Sequence, residues 1–526
     1  MARSPDQTPL EIWGGVECSL TRIGAGVRDQ MALTGHDSRI DDLDRFAALG
    51  IKALRYPILW ERTERRPGLF DWSWADARLS RIRELGMKPV VGLVHHGAGP
   101  AWTHLLDPQF AVGLARFARE TARRFPWIDD WTPINEPLTT ARFSGLYGHW
   151  HPHRRDEYAF WAALLNQIDA IRFAMREIRR TNPRARLLQT EDFGVTSATE
   201  PCQAQADHDN QRRLMTWDLL LGHVTPDHPF HDRLSRMGFE ERLKAIADDP
   251  CEPIVGLNHY LTSDRFLDHR LDRYPEACHG GNGRIAYADV EAVRVLDPPS
   301  PGWSAHILKL WETYRRPVVI TECHLGCTRE EQLRWLNECW TAALSARSQG
   351  VRVEAVTAWS LLGAYDWNSL LTRPNGVYES GVFDLAEGSP RPTALCALVQ
   401  NLAQHGEARI AMAEEAGWWR RAGRLGFRPQ PRQVGRPPAQ TAPRQVVRCH
   451  PTLRTLALER ECERRGLGLV SHQAQEAGQA EFLLTHLSRN PAGIARDLDL
   501  LIDRWSVPTE AVPCTGHRDT ELLPPA

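Results

Sequence analysis

The chain contains no apolar run approaching the roughly 18 residues that span a bilayer, and Met1–Pro9 holds no stretch of signal-peptide length. It reads as soluble and cytoplasmic. Excess charge of either sign is also missing: 64 Lys and Arg against 66 Asp and Glu leave a formal net charge of -2, which gives no general attraction to nucleic acid or an anionic membrane. No disulfide framework is visible, because the 11 cysteines are odd in number and scattered, which suggests reduced thiols. Nor is there a spaced metal motif. Cys323, His324 and Cys327 lack a matching second pair, and His149, His151 and His153 read as hydrogen-bonding or packing residues. No metal and no cofactor is expected, and the remaining partner is a neutral small molecule.

What is present is ample core material. The 526 residues exceed the usual single domain, with 42% hydrophobic and 25% charged residues, ordinary globular values. From Leu10 to about Leu402, short β-rich runs alternate with amphipathic stretches. The runs are Glu11–Val16, Ala53–Ile58, Pro89–Val94, Asp130–Ile134, Arg186–Thr190, Ile254–Asn258, Val318–Thr321 and Ala355–Trp359. Between them, Asp41–Leu49 and Phe160–Arg179 carry apolar residues at helical spacing. Eight such units predict an α/β protein, a (β/α)8 TIM barrel over residues 10–404. From Gly417 to Leu456 there are nine arginines, no acidic residue and interleaved prolines, so 417–452 reads as an Arg/Pro-rich linker. Residues 453–526 then read as a small, mostly helical or poorly ordered tail, with helices over Leu453–Arg464 and Phe482–Trp505.

Two glutamates stand at strand ends, Glu136 after Asp130–Ile134 and Glu322 after Val318–Thr321. In a barrel of this kind, side chains at the C-terminal ends of strands share one mouth. Cleaving a glycosidic bond takes a proton for the departing oxygen and negative charge beside an oxocarbenium-like ring, and paired carboxyls supply both when proximity drives their pKa values apart. Arg55, His95, His96, Asn258, Tyr260 and Trp359 fall at the same level.

These motifs resemble glycoside hydrolase family 1, the β-glucosidase-like retaining glycosidases. Trp13-Gly14 is similar to that family's opening strand, Thr132-Pro133-Ile134-Asn135-Glu136-Pro137 to its acid/base motif, and Gly256-Leu257-Asn258-His259-Tyr260 to its Gly-Leu-Asn-Tyr-Tyr strand. Ile320-Thr321-Glu322 resembles its nucleophile motif, and Trp359-Ser360-Leu361-Leu362 with Tyr365-Asp366-Trp367 its last strand and sugar-binding loop. The resemblance implies that Glu322 is the nucleophile and Glu136 the acid/base, with carboxyls roughly 5 to 5.5 Å apart. Arg55 and Tyr260 would hold Glu322. Asn135 would bind the hydroxyl beside the anomeric carbon, Asn258, His95, Asp366 and Trp367 would support the pocket, and Trp359 would offer an aromatic face. The substrate is expected to be a small glycoside.

Departures surround the sugar end of the pocket. Cys323-His324 follow Glu322 where Asn-Gly is usual, Asp366 stands for a glutamate, and Glu17-Cys18-Ser19-Leu20-Thr21 lacks the usual glutamine. An alternative reading is therefore a catalytically weak barrel that binds a sugar or sugar nucleotide in glycan or deoxysugar biosynthesis. Related barrels occur fused to a dTDP-4-dehydrorhamnose reductase-like domain, and Thr455–Leu467 is faintly similar to its first helix. Arg448–Arg454 has no glycine to admit a pyrophosphate, so dinucleotide binding and oxidoreductase activity lack support.

Overall fold

The structure, a computed structural model, describes residues 8–427, 445–471, 480–488 and 490–506. Eight parallel strands close into a barrel: β1 (Glu11–Gly15), β2 (Ala53–Pro57), β3 (Lys88–His95), β4 (Asp130–Asn135), β5 (Arg186–Asp192), β6 (Pro253–His259), β7 (Val318–Cys323) and β8 (Val353–Ala358). Each pairs with its neighbour in sequence, and β1 closes the ring between β8 and β2. The expected strands are all present, because apolar runs bounded by polar residues mark strands buried on both faces.

The period of two along each strand links core to mouth. Trp13, Ala53, Val90, Leu188, Ile254, Val319 and Ala355, from seven of the strands, form one buried cluster inside the barrel. Two or four residues further on, the same faces carry Glu17, Arg55, Asn258 and Trp359. Glu322 lies three residues beyond Val319, so strict alternation would turn it outward. The β6–β7 register shifts between Ile320 and Glu322, and this irregularity returns the glutamate to the inside.

Helices fill the connections. Over Glu157–Thr181, Asp156 accepts the Ala159 N–H at 2.8 Å, the buried side includes Leu164, Ile168, Ile171 and Ala174, and Arg179 and Arg180 stand at the negative end of the dipole. Helix Asp42–Ala47 buries Leu43 and Phe46 in the same manner. The sequence did not disclose a four-stranded sheet of Thr196–Ala198, Arg265–Asp268, Ala286–Glu291 and His279–Gly281. Among the described residues no helix is long and apolar enough to cross a membrane.

The division beyond the barrel differs from the expected linker and tail. The chain forms two compact units, 1–441 and 442–526. Within the first, 417–427 is packed structure: Trp419 is buried, Arg420 pairs with Glu338 at 2.6 Å, and Arg424 pairs with Asp297 at 3.1 Å. The arginines that suggested a solvated tether here find carboxylates supplied by distant sequence. Residues 428–444 of the expected linker lie outside the described residues, as do 472–479, 489 and 507–526 of the tail. Gln445–Cys449, assigned to the linker, is the central strand of a parallel sheet flanked by Gly468–Ser471 and Ala480–Leu484. Helices Leu456–Arg465 and Pro491–Ser506 accompany it, so Phe482–Leu484 belongs to a strand rather than to the start of a helix.

Candidate functional site

The C-terminal ends of the strands gather the two glutamates. Glu322 is 3% exposed. The Arg55 guanidinium donates to Oε1 of Glu322 at 3.0 Å, and the Tyr260 hydroxyl donates to Oε2. Arg55 also donates to the Thr321 carbonyl at 2.5 Å and to Oδ1 of Asn135 at 2.9 Å, which fixes the cation between β7 and β4. The planar fork of arginine suits this double duty.

Glu136 follows β4 directly and precedes helix Pro137–Ala141, with φ of 44° and ψ of 65°. A left-handed glutamate is strained, and the surrounding bonds hold it there. The Asn258 amide donates to Oε1 of Glu136 at 2.6 Å, while Oδ1 of Asn258 accepts from the Thr321 hydroxyl at 2.6 Å. The same amide lies close enough to Glu322 to favour its charged form. His96 and Asp366, also at the mouth, have φ of 54° and 59°. Backbone strain thus falls on three residues of one cavity.

Asn135 completes the ring of contacts. Its Oδ1 accepts from Arg55 and, at 2.8 Å, from Thr190, and its amide lies 3.2 Å from Nε2 of His95 and 3.3 Å from Nε2 of His96. His95 stacks on Trp359 with centroids 5.7 Å apart, and Arg55 lies over the same indole at 4.7 Å. Gly15 makes room for this stack, since a Cβ there would meet the Trp359 ring at 2.6 Å. Trp367 meets His96 edge-on at 5.5 Å, and its indole N–H has no partner among the described residues. Asp366 also braces its own loop, its Oδ1 accepting the Val377 N–H at 3.0 Å. The other expected residues, Arg55, His95, Asn135, Asn258, Tyr260, Trp359 and Trp367, come together around Glu136 and Glu322.

Sequence reasoning missed two buried carboxyls. Glu191, at the end of β5, accepts from the Leu138 N–H at 2.8 Å, the Thr139 N–H at 3.1 Å, and the Thr139 and Thr216 hydroxyls at 2.8 Å each. It anchors the helix start that aims Glu136. Glu17 accepts the Ser19 N–H at 2.9 Å and lies close enough to Glu322 and Arg55 to feel both charges. The period of two from Trp13 was the available signal for Glu17; Glu191 had only its strand-end position.

Electrostatics separate the two central carboxyls. Burial, then the charges of Glu322, Glu191 and Asp192, push Glu136 well above the usual carboxylate range, against the opposing Asn258 bond. Burial also raises Glu322, but Arg55, Tyr260 and Asn258 all pull it back. The shared proton therefore belongs on Glu136 and the negative charge on Glu322. Burial takes Glu17 and Glu191 to about 7. His95 falls well below its ordinary value, and His96 to about 3, through burial and the charge of Arg55, so both rings are neutral at pH 7.

Fold and site together define a (β/α)8 barrel with a strained, paired-carboxyl mouth. No protein-family profile matches the chain. It is 22% identical over 382 residues to the bifunctional beta-D-glucosidase/beta-D-fucosidase of Bifidobacterium breve, covering 62% of this chain and 78% of that protein. It is 22% identical over 399 residues to beta-glucosidase A of Thermotoga maritima, covering 69% of this chain and 85% of that one. The solved family 1 β-glucosidase of Thermotoga maritima superposes with a TM-score of 0.60 at 17% identity, over 76% of this chain and 97% of the other. Its complex with azafagomine gives 0.61 at 17%, over 77% and 99%. The barrel has the fold of those β-glucosidases.

Proposed function

We propose that the chain is a retaining β-glycosidase in which Glu322 is the nucleophile and Glu136 the acid/base. The observation that carries the reading is the pair of buried carboxyls at the ends of β4 and β7, linked through Asn258, whose amide donates to Glu136 and whose carbonyl accepts from Thr321, the residue before Glu322. Retaining hydrolysis needs carboxyls about 5 to 5.5 Å apart, against about 6.5 to 9.5 Å where an inverting enzyme leaves room for a water, and a link through one asparagine side chain favours the closer pairing.

In the first step a Glu322 oxygen attacks the anomeric carbon, the bond to the leaving oxygen breaks, and that oxygen takes the Glu136 proton. In the second, Glu136 removes a proton from water, the water oxygen bonds to the anomeric carbon, and Glu322 departs as a carboxylate. Arg55 and Tyr260 hold the charge on Glu322 before and after. Asn135 supports the hydroxyl next to the anomeric carbon, and neutral His95, the Trp359 face and the spare Trp367 N–H support the ring. The relatives suggest β-glucosides and β-fucosides as first substrates.

The test is Glu322→Gly with added azide and an aryl β-glycoside. Recovered turnover, giving a glycosyl azide of inverted configuration, supports the assignment; wild-type turnover without azide overturns it. Calorimetric sugar binding by the wild type with no release from any aryl glycoside would instead favour a binding barrel.

A further inference from the structure

Behind the mouth, the next residue of β6 points the other way. His259 follows Asn258, and alternation along the strand turns its imidazole away from the cavity that Asn258 faces. Its Nδ1 lies 2.9 Å from the Phe193 carbonyl, which can only accept, so the neutral ring carries its proton on Nδ1 and keeps a lone pair on Nε2. Two further buried groups lie nearby. Nε2 of His306 is 3.1 Å from Oδ1 and 3.3 Å from Oδ2 of Asp264, and one ligating atom from each of the three residues falls within 4.8 Å of the others.

The surroundings are built for a bound group. The three residues are 1%, 4% and 1% exposed in the order His259, Asp264, His306. Oδ1 of Asp264 accepts the Val195 N–H at 2.8 Å and Oδ2 accepts the Ser300 hydroxyl, while the Phe193 carbonyl fixes the tautomer of His259. Such outer contacts orient metal ligands and keep them basic. A small cavity of about 20 Å³, lined by His259, Asp264, Ser300, Trp335, Trp419 and Arg420, adjoins the cluster. That is room for a water. Arg420 brings positive charge, but Glu338 neutralises it at 2.6 Å.

We infer that His259, Asp264 and His306 form a buried site for one divalent transition-metal ion, and that the ion fastens the loop carrying Tyr260. Two imidazoles and one carboxylate are a ligand set suited to zinc, with a water as fourth ligand. Bonds of about 2.0 to 2.1 Å in a tetrahedron put ligand atoms about 3.4 Å apart. The His306–Asp264 pair already has that spacing, and small side-chain rotations bring in His259. Binding exchanges the hydrogen bond between His306 and Asp264 for two bonds from the same atoms to the ion. The ion would join both ends of the segment 259–264 to helix Trp303–Tyr314, which holds His306. Tyr260 and its contact with Glu322 lie within that segment.

The test is metal analysis of the full chain purified without chelators after expression with added zinc, followed by zinc titration of the chelator-treated protein. Equimolar zinc and a rise in melting temperature on titration are expected. His306→Gln retains an amide able to bond Asp264 and should weaken zinc binding by at least about 100-fold; His259→Gln should do the same if the first variant folds poorly. A wild type that neither carries zinc nor gains stability from it overturns the site. So does zinc binding unchanged in folded His306→Gln or His259→Gln, which would place the ion elsewhere.

Discussion

The Asn258 amide donates to Oε1 of Glu136 at 2.6 Å while its carbonyl accepts from Thr321, the residue before Glu322. One side chain on β6 thus joins the ends of β4 and β7. The join also has an electrostatic effect, because a hydrogen bond donated to a carboxylate stabilises its charged form.

Asn258→Ala removes the amide that donates to Glu136 and that lowers the pKa of both glutamates. Both values should rise, so both limbs of the bell-shaped profile of kcat/KM against pH should move to higher pH. A hydrogen bond to a charged group is worth about 1.5 to 3 kcal/mol, or about one pKa unit or more. An unmoved profile would show that the amide does not sense the titrating pair.

Arg55→Met takes the guanidinium from a buried ion pair whose side chains are 6% and 4% exposed. Glu322 then loses the cation that opposes its burial. Its pKa climbs further above 4.5, so the acid limb moves to higher pH. The loss of stability, about 3 to 5 kcal/mol for an uncompensated buried charge, should be largest at high pH and shrink as falling pH protonates Glu322. Chemical denaturation at pH 8 and at pH 5 measures the difference.

Much of this arrangement was legible in the sequence, for identifiable reasons. A run such as Val318–Thr321 declares a buried strand, and a glutamate placed after it breaks the pattern visibly. Arg55 two residues beyond Ala53 and Asn258 four beyond Ile254 follow from alternation alone. Glu191 and Glu17 did not stand out, because what marks them is burial against residues brought in from other strands. The register shift that turns Glu322 inward depends on pairing between β6 and β7 and leaves no local trace. The same holds for Gln445–Cys449, whose strand partners lie beyond the next helix, and for Phe482–Leu484, where apolar spacing suits a helix as well as a strand. His259, Asp264 and His306 are 47 positions apart at most (306 minus 259), and only the fold brings them together.

Glu17→Gln should flatten the pH dependence of stability. Burial raises the Glu17 pKa from 4.5 to about 7 in the folded chain. The folded state therefore holds the proton more tightly than the unfolded one. The resulting stabilisation is fully present below pH 4.5 and is lost as pH rises towards 7. Replacing the carboxyl should remove about 3 kcal/mol of the difference in unfolding free energy between pH 4 and pH 8.

Gly15→Ala tests the packing beneath the sugar platform. The added Cβ would sit 2.6 Å from the Trp359 ring, which stacks on His95 and lies under Arg55. The indole is the far wall of a stack, so it can yield only by disturbing that histidine and that guanidinium. Overpacking of this kind costs about 1 to 3 kcal/mol. The melting temperature should fall, and a tilted platform should raise KM for aryl glycosides more than it lowers kcat if, as proposed, Trp359 meets the sugar ring in ground state and transition state alike. A variant with wild-type stability and KM would mean that Trp359 has freedom to move and is not the fixed face on which the sugar rests.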